Sequence, residues 1–148
     1  HEIAIIEAGI SQSNEMRNLE TMIRPTIGIL TNIGDAHSIG FENQKTKINE
    51  KLLLFSNTNQ LIYNTDSTNI LDAVRGTQPL QTLSWGHEAS SVIQIISEKY
   101  IDQKTQVELE FKSRKYKVII PFTNKQFIDL SMHLIVCLLH FKFDQNLF

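Results

Sequence analysis

Three side chains near the start of the chain are candidates for chemistry: the carboxylate of Glu7, the imidazole of His37 and the amine of Lys51. Glu7 lies in the run Ile-Ile-Glu-Ala-Gly, where a buried carboxylate is costly unless it is paired or bound to a metal ion. His37 ends the segment Thr-Asn-Ile-Gly-Asp-Ala-His, and Lys51 follows it by fourteen residues. A metal ion is therefore one of the partners that the Glu7 carboxylate could take.

Each of these residues also has a plainer interpretation when it is considered alone. Glu7 is then an acid that accepts hydrogen bonds from helix N-termini, His37 a structural loop histidine, and Lys51 a solvated helix lysine. The residue types leave both interpretations open. What decides between them is whether the surrounding elements bring the three side chains into one cleft.

The elements that must position these residues alternate between strand and helix patterns. They predict strands at Ile3 to Ala8, Thr26 to Ile33 and Gln60 to Tyr63, and helices at about Glu15 to Ile23 and Gln44 to Phe55. The strand patterns are continuous apolar runs, which are typical of a parallel sheet covered on both faces. Right-handed β-α-β connections then predict an α/β fold with a doubly wound parallel sheet. Ligands bind at the carboxyl ends of the strands in such sheets, where Glu7 and the loop of His37 fall.

The second half of the chain has a different pattern. A helix is predicted at Ser67 to Val74 and a strand near Thr82 to Trp85, followed by alternating runs at Ser91 to Tyr100, Gln106 to Lys112 and Lys115 to Ile120. The last two runs flank Ser113-Arg114 and predict an antiparallel β-hairpin. A buried C-terminal helix is expected from about Lys125 to Phe143. Because no repeat or linker interrupts the chain, residues 1–148 are expected to belong to one domain.

Charge and composition exclude several classes of protein. With 14 basic and 16 acidic side chains and a pI near 6.2, the chain lacks the signature of a nucleic-acid surface or a polybasic membrane anchor. The single cysteine, Cys137, excludes an internal disulfide, suits the cytoplasm and is expected in the core. The longest apolar region, Phe127 to Phe141, is interrupted by polar residues and is shorter than the roughly 20 residues of a membrane-spanning helix.

The order and spacing of Glu7, His37 and Lys51 resemble the metal site of the Mur ligases. The carrying segments are Ile-Glu-Ala-Gly (6–9) and Arg-Pro-Thr-Ile-Gly-Ile-Leu-Thr-Asn-Ile-Gly-Asp-Ala-His (24–37). The resemblance is to the central ATP-binding domain of that family and extends from Ile3 to about Asp66. Within the family, Glu-Ala-Gly followed by Asn-Glu-Met (14–16) is most similar to the members that join D-alanyl-D-alanine to a UDP-N-acetylmuramoyl-tripeptide.

The resemblance implies an ATP-dependent, cytoplasmic ligase of peptidoglycan precursor synthesis that works through an acyl phosphate. Its cofactors would be ATP and Mg²⁺. Glu7 would bind the ion that bridges the β- and γ-phosphates, and His37 a second ion between the γ-phosphate and the acyl group. The partners implied are the UDP-N-acetylmuramoyl-tripeptide, D-alanyl-D-alanine and the remaining domains of the same chain.

Lys51 matches the lysine that is carbamylated in the family, which turns a cation repelled by two metal ions into an anionic ligand. Together with His37 it is the implied catalytic residue. Lys45 and Lys47 are competing candidates, but the spacing from the histidine selects Lys51, and these two are interpreted as solvated helix charges. Asn32 is expected to contribute to cofactor binding through water-mediated contacts to metal.

Other polar residues receive structural interpretations. Asp35 is expected to shape the loop of His37, with loop capping as its simplest role. Asn64-Thr-Asp66 matches a turn of the family and predicts an Asx-turn. His133 and His140 share one face of the last helix, where no acid or cysteine completes a metal set, so core positions are expected for both.

The sequence also departs from the family pattern. None of the six glycines begins a phosphate-binding Gly-x-x-Gly-Lys-Thr/Ser loop, and Gln126-Phe127 stand where the family has His-Asn near adenine. The two flanking domains of the family do not fit in 148 residues, and the chain starts without methionine inside a predicted strand. We therefore expect a fragment of the central domain that is inactive alone. The alternative is a non-catalytic α/β interaction module or a degenerate relative of the family. A small metal hydrolase that uses Glu7 and His37 would need further metal ligands, which the sequence does not offer.

Overall fold

The computed structural model describes residues 3–33, 41–77 and 81–141, which form four helices and six strands. In chain order these are α1 (Glu15–Ile23), β1 (Ile27–Leu30), α2 (Gln44–Leu53), β2 (Gln60–Asn64), α3 (Thr68–Arg75), β3 (Gln81–Gly86), β4 (Ile93–Ile101), β5 (Lys104–Phe111), β6 (Arg114–Ile120) and α4 (Lys125–His140). All of these were predicted to within a few residues. None of the helices in the described ranges is long and apolar enough to cross a membrane.

The strands form one mixed sheet in the order β1-β2-β3-β4-β5-β6. β1 to β4 are parallel to one another, and Ile29, Ile62 and Leu83 are register partners across the first three. β4, β5 and β6 pair in antiparallel fashion. The predicted α/β class, with a parallel sheet extended by an antiparallel hairpin region and a buried C-terminal helix, is confirmed.

Helices cover both faces of the parallel part of the sheet. Along β2, Leu61 and Tyr63 belong to one apolar cluster, whereas Ile62 between them belongs to another, because successive strand residues point to opposite faces. The first cluster receives side chains from α1, α2 and α3; the second receives side chains from α4. This arrangement of helices confirms the doubly wound prediction.

The two antiparallel connections are tight turns. Asp102 and Gln103 between β4 and β5, and Lys112 and Ser113 between β5 and β6, all have positive φ between 46° and 62°. Two successive left-handed residues match the right-handed twist of the flanking strands. The second turn lies one residue earlier than the sequence predicts.

The prediction of a strand at residues 3–8 is wrong. The segment is irregular, and Ile3, Ile5 and Ile6 are 71%, 95% and 57% exposed. An apolar run becomes a buried strand only where a neighbouring strand satisfies its backbone and layers cover its faces. Among the described residues, no strand pairs with this segment, and Ala8 is its only residue that packs against the apolar cluster under α1 to α3.

Candidate functional site

Glu7 lies in the irregular N-terminal segment and is exposed, so the prediction that it ends a buried strand is wrong. The chain after it forms an open groove of about 610 Å³ lined by Gly9, Ile10, Ser11, Glu15, Asn18 and Leu19. An exposed carboxylate keeps its water shell. Its location is therefore compatible with an ion that also keeps water ligands.

The first residue of α1 holds the backbone at one side of the groove. The Glu15 carboxylate accepts hydrogen bonds from the Ser11 N–H at 2.6 Å, the Ser11 hydroxyl at 2.8 Å and the Gln12 N–H at 3.0 Å. The hydrogen bond from the Ser11 N–H contributes most to the lowered pKa of Glu15, followed by the bonds from the Gln12 N–H and the Ser11 hydroxyl. The Asn14 side chain makes no cap hydrogen bond, and the Glu15 side chain instead holds the turn that precedes the helix.

Lys51 lies in the last turn of α2 and is half-buried. Burial of its ammonium, and then the charge of Lys47, lower the pKa of Lys51. Lys45 is exposed as predicted, but Lys47 is only 4% exposed, so its prediction as a solvated charge is wrong. The reason is that α2 contacts both α1 and α3, which leaves it a wider buried face than its apolar spacing indicates.

Sequence reasoning missed Glu50, the neighbour of Lys51. One of its carboxylate oxygens is buried without a hydrogen-bond partner among the described residues. A glutamate in an amphipathic helix carries no sequence signal for such burial.

Asn32 follows β1 at its carboxyl end and is exposed. The next residue is tied to α2, because Gln44 Nε2 donates to the Ile33 carbonyl at 3.4 Å. Asn43 caps that helix, and its side chain accepts from the Thr46 N–H at 2.9 Å. His37 and Asp35 lie outside the described residues, so the roles expected for them stay predictions.

The predicted Asx-turn after β2 is confirmed, since the Asp66 N–H donates to Asn64 Oδ1 at 2.8 Å. The Asp66 carboxylate then accepts from the His87 N–H and pairs with His87 Nδ1, both at 2.8 Å. His87 Nε2 lies 3.7 Å from Glu98 on β4. Gly86 has a φ of 156°, and a Cβ there would come within 2.6 Å of Asp66. Sequence reasoning missed this cluster of Asp66, His87 and Glu98.

His133 of α4 is a core histidine, as predicted, and is 4% exposed. Trp85 Nε1 donates to His133 Nδ1 at 3.1 Å, with the two rings nearly perpendicular. Burial lowers the pKa of His133 to about 4, although a backbone hydrogen bond at Thr31 opposes the shift. His140 is half-buried against the ring of Phe141, and Cys137 packs at the margin of the core, where burial raises its pKa.

The described residues do not by themselves assemble a metal centre. Within residues 3–33, 41–77 and 81–141, no three His, Cys, Asp or Glu side chains converge in an arrangement that would hold an ion. No hydrogen bond or ion pair among these residues joins Glu7 to Lys51. Glu7 lies in the N-terminal segment, Asn32 follows the end of β1, and Lys51 lies in the last turn of α2.

Solved structures share this fold. A MurF crystal structure from Acinetobacter baumannii superposes with a TM-score of 0.78 at 16% sequence identity, over 99% of this chain and 32% of that one. A MurF ligase from Thermotoga maritima in complex with ADP gives a TM-score of 0.67 at 18% identity, over 85% of this chain and 30% of that one.

Sequence comparison also finds a relative. A UDP-N-acetylmuramoyl-tripeptide--D-alanyl-D-alanine ligase from Rickettsia prowazekii is 24% identical over 134 residues, which cover 86% of this chain and 30% of that protein. The chain thus spans less than a third of the length of these relatives. The profile of the Mur ligase middle domain matches residues 1–135. The chain belongs to the Mur ligase middle domain family.

Proposed function

We propose that this chain is most of the central domain of a longer cytoplasmic ligase that joins D-alanyl-D-alanine to a UDP-N-acetylmuramoyl-tripeptide at the expense of ATP. The carrying observation is the family match across residues 1–135, which contains Glu7, His37 and Lys51 together. The phosphate-binding loop and both flanking domains would come from the rest of the polypeptide. In this proposal the 148 residues are inactive alone.

The residue types at two of these positions support the proposed magnesium ions. Magnesium prefers oxygen ligands and keeps several waters, which suits the exposed carboxylate of Glu7. Asn32, at the carboxyl end of β1, lies where open α/β sheets bind ligands. His37 is proposed to hold a second ion. The ions would neutralise charge while the peptide carboxylate takes the γ-phosphoryl group of ATP and the incoming amine then displaces phosphate.

The environment of Lys51 supports the proposed carbamylation. Its lowered pKa means that a larger fraction of the amine is neutral than in an exposed lysine. A neutral amine adds carbon dioxide through its nitrogen lone pair and loses one proton. The product is an anionic carbamate, whose oxygens suit magnesium better than an ammonium does.

The alternative function is a non-catalytic interaction module. It is favoured by the lack of a Gly-x-x-Gly-Lys-Thr/Ser motif in the sequence. The two proposals differ in whether Lys51 matters, because a module without turnover has no use for a carbamate.

The test compares Lys51→Ala with Lys45→Ala in the full-length protein that contains this chain. ADP release that depends on both D-alanyl-D-alanine and the UDP-N-acetylmuramoyl-tripeptide is measured. Lys51→Ala is expected to lose about 100-fold or more in kcat, the scale of removing one charge-stabilising group, and Lys45→Ala to change little. Carbon-13 bicarbonate should give a carbamate NMR signal that only Lys51→Ala removes. A folded full-length protein without ADP release would overturn the ligase proposal.

A further inference from the structure

The last helix, α4, is apolar on both of its sides. One side packs on the sheet, where Ile128, Met132 and Val136 belong to the apolar cluster that α4 shares with the strands. The other side carries five large apolar residues, of which Leu138 is half-buried and the rest are between 50% and 60% exposed: Phe127, Leu130, Leu134, Leu138 and Phe141. These five residues are called the α4 stripe below. A helix that is apolar all round is normally covered all round, so the stripe marks a contact surface.

The α4 stripe is a palindrome centred on Leu134. Its residues are separated by 3, 4, 4 and 3 positions, with Phe at both ends and Leu at the three inner positions. At about 100° per residue, all five lie within about 40° of Leu134 around the helix axis. The stripe is therefore narrow, straight and symmetric about its central leucine.

Few polar groups in α4 oppose burial of the stripe. Lys125 and Asp129 are the only Asp, Glu, Lys or Arg residues of this helix, and they pair with each other at 2.6 Å. They lie about 180° and about 140° around the helix from Leu134. The Ser131 hydroxyl beside the stripe already donates to the Phe127 carbonyl at 2.8 Å. A contact over the stripe thus buries no carboxylate or ammonium and leaves no new hydroxyl donor unsatisfied.

We propose that two copies of this chain associate through the α4 stripe, with the two helices antiparallel about a two-fold axis at Leu134. In this arrangement Leu134 of one copy meets Leu134 of the other. Phe127 then lies against Phe141, and Leu130 lies against Leu138. A two-fold contact uses the same surface on both copies, and a palindromic stripe supplies that surface with matched side chains.

Charge and size set the expected strength of this contact. The net charge of -2 per chain gives little repulsion between copies. The antiparallel orientation keeps the two Lys125–Asp129 pairs at opposite ends and brings opposite ends of the helix dipoles together. The stripe is about 21 Å long and about 10 Å wide, smaller than the roughly 800 Å² per partner of a standard interface. We therefore expect a weak dimer, with a Kd on the order of 10 µM.

The first test is sedimentation velocity over a concentration range that spans this Kd. Leu134→Glu places two carboxylates against each other at the axis, so Kd is expected to rise about 100-fold or more, the scale of a like-charge contact. Met22→Glu is the matched control and should change nothing, because Met22 is 79% exposed on α1, which covers the opposite face of the sheet. An equimolar mixture of Leu134→Glu and Leu134→Lys should recover the association. Recovery also shows that the single variants are folded.

Three outcomes of this test contradict the proposal. They are a wild-type chain that stays monomeric at every concentration, an equal loss of association in Met22→Glu, and no recovery in the mixture.

The second test determines the orientation of the helices by cysteine crosslinking. Cys137 is the single cysteine of the chain, so Cys137→Ala gives a background without thiols. In that background, mild oxidation of Leu130→Cys mixed with Leu138→Cys should give a disulfide-linked dimer of one copy of each, identified by its mass. Neither variant should link to itself. Linkage of Leu130→Cys to itself would mean parallel helices and would overturn the antiparallel pairing.

The full-length protein that contains this chain tests the second copy against another occupant of the stripe. It is expected to be dimeric, and Leu134→Glu is expected to make it monomeric. A monomeric wild-type protein would overturn the proposal. Maleimide labelling of Leu134→Cys would then show whether another part of the same polypeptide covers the stripe.

Discussion

The two halves of the sheet differ in strand length, in burial and in the candidate residues that they carry. The parallel edge, β1 and β2 with α1 to α3, has strands of 4 and 5 residues and carries Glu7, Asn32 and Lys51. The opposite half, β4 to β6 with α4, has strands of 9, 8 and 7 residues and buries Ile93, Val107, Leu109, Met132 and Val136 completely. The candidate residues thus lie on the half with short strands, and the half with long paired strands supplies a supporting scaffold.

The largest contrast should appear when one side chain is truncated in each half. Leu109 on β5 is fully buried, so Leu109→Ala removes apolar contacts and leaves a cavity, at an expected cost of about 3 kcal/mol. Ile5→Ala removes a side chain that is 95% exposed and should change stability by less than about 0.5 kcal/mol. Urea unfolding followed by Trp85 fluorescence measures both. Equal costs would mean that the N-terminal segment is packed in solution.

Acid should act on the supporting half through His133. Its folded pKa of about 4 lies below its ordinary value of 6.5, so between these pH values the unfolded chain binds a proton that the folded chain does not. The contribution of neutral His133 to the free energy of unfolding is therefore complete above pH 6.5. It is lost as the pH falls towards 4, by about 3 kcal/mol in total. His133→Gln should remove this part of the pH dependence. A slope between pH 6.5 and 4 that is unchanged in the variant would assign the acid sensitivity to the carboxylates.

A close contact on the parallel edge gives a smaller effect. A Cβ on Gly28 would lie 2.8 Å from Phe55 Cε1, so Gly28→Ala overpacks the interface between β1 and the end of α2. The expected cost in stability is about 2 kcal/mol. Phe55→Leu provides room, and Gly28→Ala should cost less in that background. Thermal unfolding of the four variants measures the coupling. Additive costs would show that the Phe55 ring is not what constrains Gly28.

Local patterns predicted the elements well but not the contacts between them. The bounds of α1 and the two hairpin strands follow from helical spacing and alternation, which the chain carries in consecutive residues. Asp66 and His87 are 21 residues apart, and Trp85 and His133 are 48 apart. These pairs depend on strand order and on which helix covers which face, and no local pattern specifies either.

The same limit explains the errors at the parallel edge. The apolar run at residues 3–8 indicates that a strand is possible, but not which neighbour would pair with it. Lys47 has the sequence pattern of a solvated lysine, and its burial depends on how α1 and α3 pack against α2. Glu7, Asn32 and Lys51 were selected by their resemblance to a family, since none of them has a distinctive local pattern.

Matched helix caps provide the finest comparison between the halves. Asn43 before α2 and Asn124 before α4 each accept a hydrogen bond from a backbone N–H at 2.9 Å, so replacement of either by Ala should cost about 1 kcal/mol of global stability. Amide exchange should differ. Asn43→Ala is expected to speed exchange within α2, around Lys51, and leave β5 unchanged, because short strands and partly exposed helices open locally. If Asn124→Ala loosens α4 as readily, the two halves are equally rigid, and the location of the candidate site on the parallel edge has no consequence for its dynamics.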